Sequence, residues 1–155
     1  MTSYGKSALK GLYFSPIALF VYNRPVHTAR TVTALKANEE SMNTDLYIFS
    51  DGPRDESQEP AVTAVRDYIK GITGFKSVTI MERERNFGLA DSIITGVTSI
   101  LKEYETIIVL EDDLVVSRFF LKFMNEGLSR YANTPLIASI HGWNFQLSRK
   151  TPDTF

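Results

Sequence analysis

Five short apolar runs, each separated from the next by a stretch with helical spacing, constrain this chain more than any other feature. The runs are Ile17 to Tyr22, Leu46 to Ser50, Ser77 to Met81, Thr106 to Leu110 and Leu136 to Ile140. Each is short enough for a strand and closes on a turn signal such as Asn23-Arg24-Pro25 or Asp51-Gly52-Pro53. Between them, Val26, Ala29, Val32 and Leu35 recur at helical spacing until Asn38. Pro60 opens a second helix bearing Val62, Val65, Ile69 and Ile72 on one face, with Gly71 and Gly74 ending it. A third carries Leu89, Ile93, Val97, Ile100, Leu101 and Tyr104, and a fourth, capped by Ser117, turns Phe119, Phe120, Phe123, Leu128 and Tyr131 inward. Continuous apolar strands alternating with helices predict an α/β three-layer sandwich around a mostly parallel sheet. Right-handed crossovers bring the strand C-termini to one edge, where ligands of such sheets bind. The loops at Asn23-Arg24, Asp51-Gly52, Glu111-Asp112-Asp113 and His141 to Asn144 are therefore expected to converge.

A chain of 155 residues suits one domain, and 43% hydrophobic with 23% charged residues suits a globular core rather than disorder. A net charge of −1 gives no basic field for a nucleic-acid partner. With no cysteine, disulfides, thiolate metal sites and cysteine nucleophiles are excluded, so any metal must use oxygen or histidine ligands. No apolar stretch approaches the roughly 20 residues of a membrane span, and the first residues lack a signal-peptide run, so a cytoplasmic location is expected.

The segment IIVLEDDL sets Glu111, Asp112 and Asp113 side by side at the end of an apolar strand. Like unit charges about 4 Å apart repel by roughly 1 kcal/mol in water, and by more in a cleft, so a positive partner is called for. Strand alternation would send Glu111 and Asp113 one way and Asp112 the other unless the backbone bends. Hard oxygen donors suit Mg²⁺ or Mn²⁺, with a substrate diphosphate completing the shell; a solvated acidic turn is the plainer alternative. Asp51 is placed to accept from a nucleobase or ribose, or simply to make the Asp-Gly-Pro turn. Arg24 could lie over a base or a phosphate, or be a solvated cap. Asn86, Gly88 and Leu89 form a turn and helix start that allow close backbone approach and favour an anion. His141 and Trp143 could ligate and stack, or belong to the core. No G-x-G-x-x-G follows the first strand and no G-x-x-x-x-G-K-[ST] occurs, so phosphate handling would rest on a metal.

The run RNFGLADSIITGVTSILKEYETIIVLEDDL resembles glycosyltransferase family 2, and IIVLEDDLVVSRFFLKFM followed by IASIHGWN is similar to the metal-dependent β-1,2-N-acetylglucosaminyltransferases. The likeness spans about residues 17 to 145. It implies a GT-A-like nucleotide-diphospho-sugar transferase fold and transfer of a sugar from a nucleotide-sugar, a UDP-sugar, to a carbohydrate or glycan acceptor with inversion. It implies further that Asp113 binds Mn²⁺ or Mg²⁺ as part of a DxD-type motif, Asp112 contacts the ribose and Glu111 the transferred sugar. Asp51 reads the uracil, Arg24 sits beside the base, and Asn23, Asn86, Gly88, Leu89, Trp143 and Asn144 complete the donor pocket. On this reading residues 1–16 are an N-terminal segment, 17–145 the donor-binding domain and 146–155 the start of an acceptor region. The catalytic base is then expected beyond Phe155. A non-catalytic nucleotide-sugar binding module shares these donor features. A receiver-like phosphoacceptor domain would place its acidic pocket after the first strand, where Asn23-Arg24 stands, and a sugar nucleotidyltransferase would need a Gly-rich basic loop there.

Overall fold

A computed structural model describes residues 14–143. Four strands, β1 (Ile17–Val21), β2 (Asp45–Ser50), β3 (Ser77–Glu82) and β4 (Ile108–Glu111), alternate with four helices, α1 (Pro25–Lys36), α2 (Glu59–Lys70), α3 (Leu89–Ile100) and α4 (Phe120–Tyr131). The sheet runs in the order β3-β2-β1-β4 and every pairing is parallel. β1 lies inside it, with Leu19 opposite Ile48 on one side and Leu110 on the other, and all five of its residues are buried.

Alternate residues of β1 feed two cores. Ile17, Leu19 and Val21 join Val32 and Leu35 of α1, Val65 and Ile69 of α2, and Leu121 and Met124 of α4 on one face. Ala18 and Phe20 join Phe49 and Ile100 on the other, flanked by Ile93 and Val97 of α3. These are the three layers of the α/β sandwich expected from the sequence. The chain steps outward from β1 to β2 to β3 along one face, then returns through α3 on the opposite face to place β4 beside β1. The strand order therefore reverses between β1 and β4, and the crevice outside their C-terminal ends is where a sheet of this type takes a ligand.

The expected fifth strand does not form. Residues 136–140 are without strand structure, Leu136 is 96% exposed, and Ile140 rests on α4 beside Gly127. An apolar run of five residues is compatible with a strand but equally with a segment lying across a helix, which periodicity alone does not separate.

Two helical faces also differ from expectation. On α1, Thr28 and Thr31 are buried with Val32 and Leu35, whereas Val26 is exposed. Thr28 Oγ1 donates to the Arg24 carbonyl (3.0 Å) and Thr31 Oγ1 to that of Asp112 (2.9 Å), so their polar atoms are satisfied in place. On α3 the buried line is Ser92, Gly96 and Ile100, while Leu89 and Leu101 are exposed. α4 begins at Phe120 rather than at Ser117, and its buried residues are Leu121, Met124 and Gly127, with Phe119 exposed. Ser117 instead accepts from the Phe119 N–H (3.2 Å), and the start of α4 is tied down by Asn38, whose Oδ1 accepts from Leu121 N–H at 2.9 Å.

Gly96 lets α3 approach the sheet. A Cβ there would lie 2.7 Å from Phe20 Cε1 and 3.1 Å from Phe49 Cε1, and these two rings are stacked at 4.9 Å. Gly96→Val is therefore expected to destabilise by about 1–3 kcal/mol through overpacking, read as a lower urea midpoint with an unchanged slope. At the start of β2, burial pushes the Asp45 pKa up, but hydrogen bonds from Lys76 and Ser77 and the Lys76 charge outweigh it and leave it lowered. A lowered carboxyl pKa stabilises the fold above the unfolded value, and that contribution is lost as pH falls through the folded one. Asp45→Asn should thus lower Tm at neutral pH, and the gap to wild type should close in melts taken below about pH 4.

Candidate functional site

Three of the four expected loops meet at the C-terminal edge of the sheet. They line a cleft of about 370 Å³ with Tyr22, Asn23 and Arg24 after β1, Asp51 and Arg54 after β2, Asn86, Gly88, Leu89 and Ser92 around the start of α3, and Glu111 with Asp112 after β4. Trp143 is 69% exposed and does not line this cleft, because the segment before it does not join the sheet. Asn144 lies outside the described residues.

Asp51 follows a strand whose ladder continues one step further, with its N–H donating to the Val21 carbonyl at 3.1 Å. Its side chain is turned toward the start of α3. Oδ1 accepts from the N–H groups of Gly52 (3.0 Å) and Phe87 (2.9 Å), and Oδ2 accepts from that of Gly88 (3.0 Å). The helix N-terminus expected to attract an anion thus already holds one, supplied by the chain itself. Asn86 Nδ2 returns a bond to the Gly52 carbonyl (2.9 Å), so the loops after β2 and β3 are locked together from both sides. Glycine is required twice for this. A Cβ on Gly52 would sit 2.5 Å from the Arg85 carbonyl carbon, and Gly88 has φ +77° with ψ 163°, a region reserved for glycine. A carboxylate offers about four acceptor positions, and three are used here, which leaves one on Oδ2 at the cleft.

The acidic triplet is resolved differently. Glu111 ends β4, pairing with Phe20, and the backbone turns at Asp112, so Glu111 and Asp112 both line the cleft while Asp113 lies beside it. The simple pleat alternation does not hold past Glu111, because the strand ends there. Thr31 fixes the turn through the Asp112 carbonyl. Arg24 then spans the pair: Nη2 donates to Asp112 Oδ1 and Nη1 to Asp113 Oδ2 at 3.0 Å. The hydrogen bond to Asp112 leads in raising the Arg24 pKa above its ordinary value, against burial and with help from both carboxylate charges. Asp112 is 2% exposed, and its Oδ2 is buried with no hydrogen-bond partner among the described residues. Among these residues no three His, Cys, Asp or Glu side chains converge into a ready metal cage. One or two carboxylates are all that Mg²⁺ or Mn²⁺ needs when phosphates supply the rest.

Sequence reasoning did not single out Tyr22, Arg54, Ser92 or Arg66. The Arg54 N–H donates to the Tyr22 hydroxyl (3.1 Å), pinning one rim of the cleft. Arg66 of α2 reaches the Arg83 carbonyl at 2.6 Å, clamping the end of β3. Arg83 in turn stacks on Phe87, 4.1 Å from the ring centroid. Basic residues alternating with Glu82 and Glu84 gave no periodic signal for such a role.

Residues 17–143 match the model of glycosyl transferase family 2. The chain belongs to that family. The architecture is also similar to that of TarS from S. aureus, with a TM-score of 0.50 at 14% identity, over 76% of this chain and 20% of the TarS chain. This chain thus corresponds to a small part of that longer one, and at such identity the likeness shows the fold alone. No curated protein matches. Among the described residues, no helix is long and apolar enough to cross a membrane.

Losing one charged acceptor for two loop amides typically costs about 1–3 kcal/mol. Asp51→Asn is therefore expected to speed hydrogen exchange at Phe87 and Gly88 by about 5- to 150-fold, measured by NMR or mass spectrometry, while core amides of β1 keep their protection.

Proposed function

We propose that this chain is the donor-binding part of a glycosyltransferase that uses a nucleotide-sugar, a UDP-sugar, with a divalent cation, Mn²⁺ or Mg²⁺, and transfers the sugar to a glycan hydroxyl with inversion. The observation that supports this is the meeting of Asp51 with Asp112 in one cleft at the strand-order reversal, with Asp113 beside it and paired to Asp112 through Arg24, in a chain of glycosyl transferase family 2.

The residues fit a hard cation. Asp112 offers a buried oxygen with no partner, and Arg24 marks a position where one positive group serves Asp112 and Asp113 together. In this reading Asp113 is the metal ligand, Asp112 contacts the ribose and Glu111 faces the transferred sugar. When bound, the cation would offset the charge of the diphosphate as it leaves, as a Lewis acid does. The remaining acceptor position on Asp51 Oδ2 suits the N3–H of uracil, which cytosine lacks, so base choice and loop support would come from one carboxylate. Asn23, Asn86, Gly88 and Leu89 supply walls rather than charge. Trp143 and Asn144 are proposed as donor contacts on the strength of the family resemblance alone, since the exposed Trp143 lies off the cleft.

Calorimetric titration of UDP tests the proposal. UDP is expected to bind in Mn²⁺ at least about tenfold more tightly than in EDTA, a difference of about 1.4 kcal/mol, and Asp113→Ala should remove most of that difference. Equal binding in EDTA, or an unchanged affinity in Asp113→Ala, would overturn the metal bridge. Binding of CDP as tight as UDP would remove the role given to Asp51.

A further inference from the structure

The acidic pair at the proposed cation site, Asp113 as ligand with Asp112 beside it, is already held by this chain's own guanidinium. Arg24 donates to Asp112 and Asp113 at once, across 88 and 89 positions of sequence. Both backbones beneath this contact are fixed to α1, since the Arg24 carbonyl accepts from Thr28 N–H and Oγ1, each at 3.0 Å, and the Asp112 carbonyl accepts from Thr31. The Arg24 side chain is by contrast 43% exposed, beside an Asp112 side chain that is only 3% exposed. The movable half of the contact is therefore the guanidinium, and the fixed half is the buried carboxylate with its unpartnered Oδ2.

A guanidinium and a divalent cation compete for these two carboxylates, because binding both forces like charges together in a cleft of lowered dielectric. A diphosphate changes the balance, since it is a second anionic partner and a planar guanidinium binds phosphate as well as carboxylate. We propose that Arg24 is a counterion latch: it holds Asp112 and Asp113 while the donor is absent, and exchanges onto the diphosphate when cation and donor enter together. This rests on the metal-bridged donor reading above and adds the order in which the site fills. The cation alone must displace Arg24 without giving it a new partner, so it binds poorly. With a nucleoside diphosphate present, the guanidinium has somewhere to go, and each ligand strengthens the other's binding by the same factor.

The test is Mn²⁺ binding to the full chain, followed by electron paramagnetic resonance of free Mn²⁺, with and without UDP, for wild type, Arg24→Gln and Arg24→Lys. Folding of each variant is verified by circular dichroism and melting. Wild type should bind Mn²⁺ weakly alone and about 5- to 150-fold more tightly with UDP, the usual span of such coupling. Arg24→Gln should bind Mn²⁺ alone about tenfold more tightly than wild type, lose most of the coupling, and bind UDP more weakly at saturating Mn²⁺. Arg24→Lys, with a point charge in place of the fork, should fall between them, and it carries the test if Arg24→Gln does not fold. If wild type shows the coupling but the variants bind Mn²⁺ alone no better than wild type, the latch is wrong and the metal-bridged reading stands. If no form binds Mn²⁺ with or without UDP, the metal-bridged reading fails and the latch with it.

Discussion

Strand β1 is the constraint on which the rest of the structure depends. It is paired along both edges and covered on both faces, so its backbone groups and its side chains are both withdrawn from water. A strand in that position needs two neighbours and two cores, and a chain running outward through β2 and β3 can supply only one neighbour. The second, β4, has to come back across the sheet, and α3 carries it over the opposite face. The reversal that completes burial of β1 is the same one that opens the cleft at its end. Fold stability and the position of the site therefore have a common cause, and a ligand site on this edge does not need a separate device to create it.

Two carboxylate problems arise at that edge, and the chain solves them in opposite ways. Asp51 is surrounded by three backbone N–H groups that cannot leave without unmaking the turn at the start of α3. Asp112 and Asp113 are met by one long, partly exposed side chain. Backbone amides give a fixed field, suited to a residue that orders a loop, whereas a flexible cation leaves its partners open to exchange. The buried, unpartnered oxygen of Asp112 separates the two cases further, since every oxygen of Asp51 is occupied at least once.

The sequence made the sheet legible because parallel strands buried on both faces are written as continuous apolar runs. The four that pair were visible to within two residues at each end. The fifth run, Leu136 to Ile140, has the same composition but lies against α4, and composition does not record whether a sheet edge is available to receive it. The helical faces were blurred where Thr28, Thr31, Ser92 and Gly96 turn inward. Two of these are tolerated inside because a carbonyl waits for each threonine hydroxyl, and Gly96 because two stacked rings leave no room for a side chain. The Thr28 bond is local, to a carbonyl four residues back, but the Thr31 and Gly96 reasons belong to partners distant in the chain, and a hydrophobic stripe reports neither kind.

The site was legible as an inventory and less so as a circuit. Arg24, Asp51, Asn86, Gly88 and the triplet could all be named from their places at strand ends, and the triplet's need for positive charge followed from Coulomb repulsion alone. Two different answers satisfy that need. A guanidinium reached from the loop after β1 neutralises the pair without any ligand, while a divalent ion does so only in company with phosphate. One linear sequence is consistent with both, because both use the same residues. Electrostatic necessity thus identifies the carboxylates early, but it does not by itself choose their partner: the structure pairs them with a guanidinium, and a divalent ion belongs to the proposed donor-bound site.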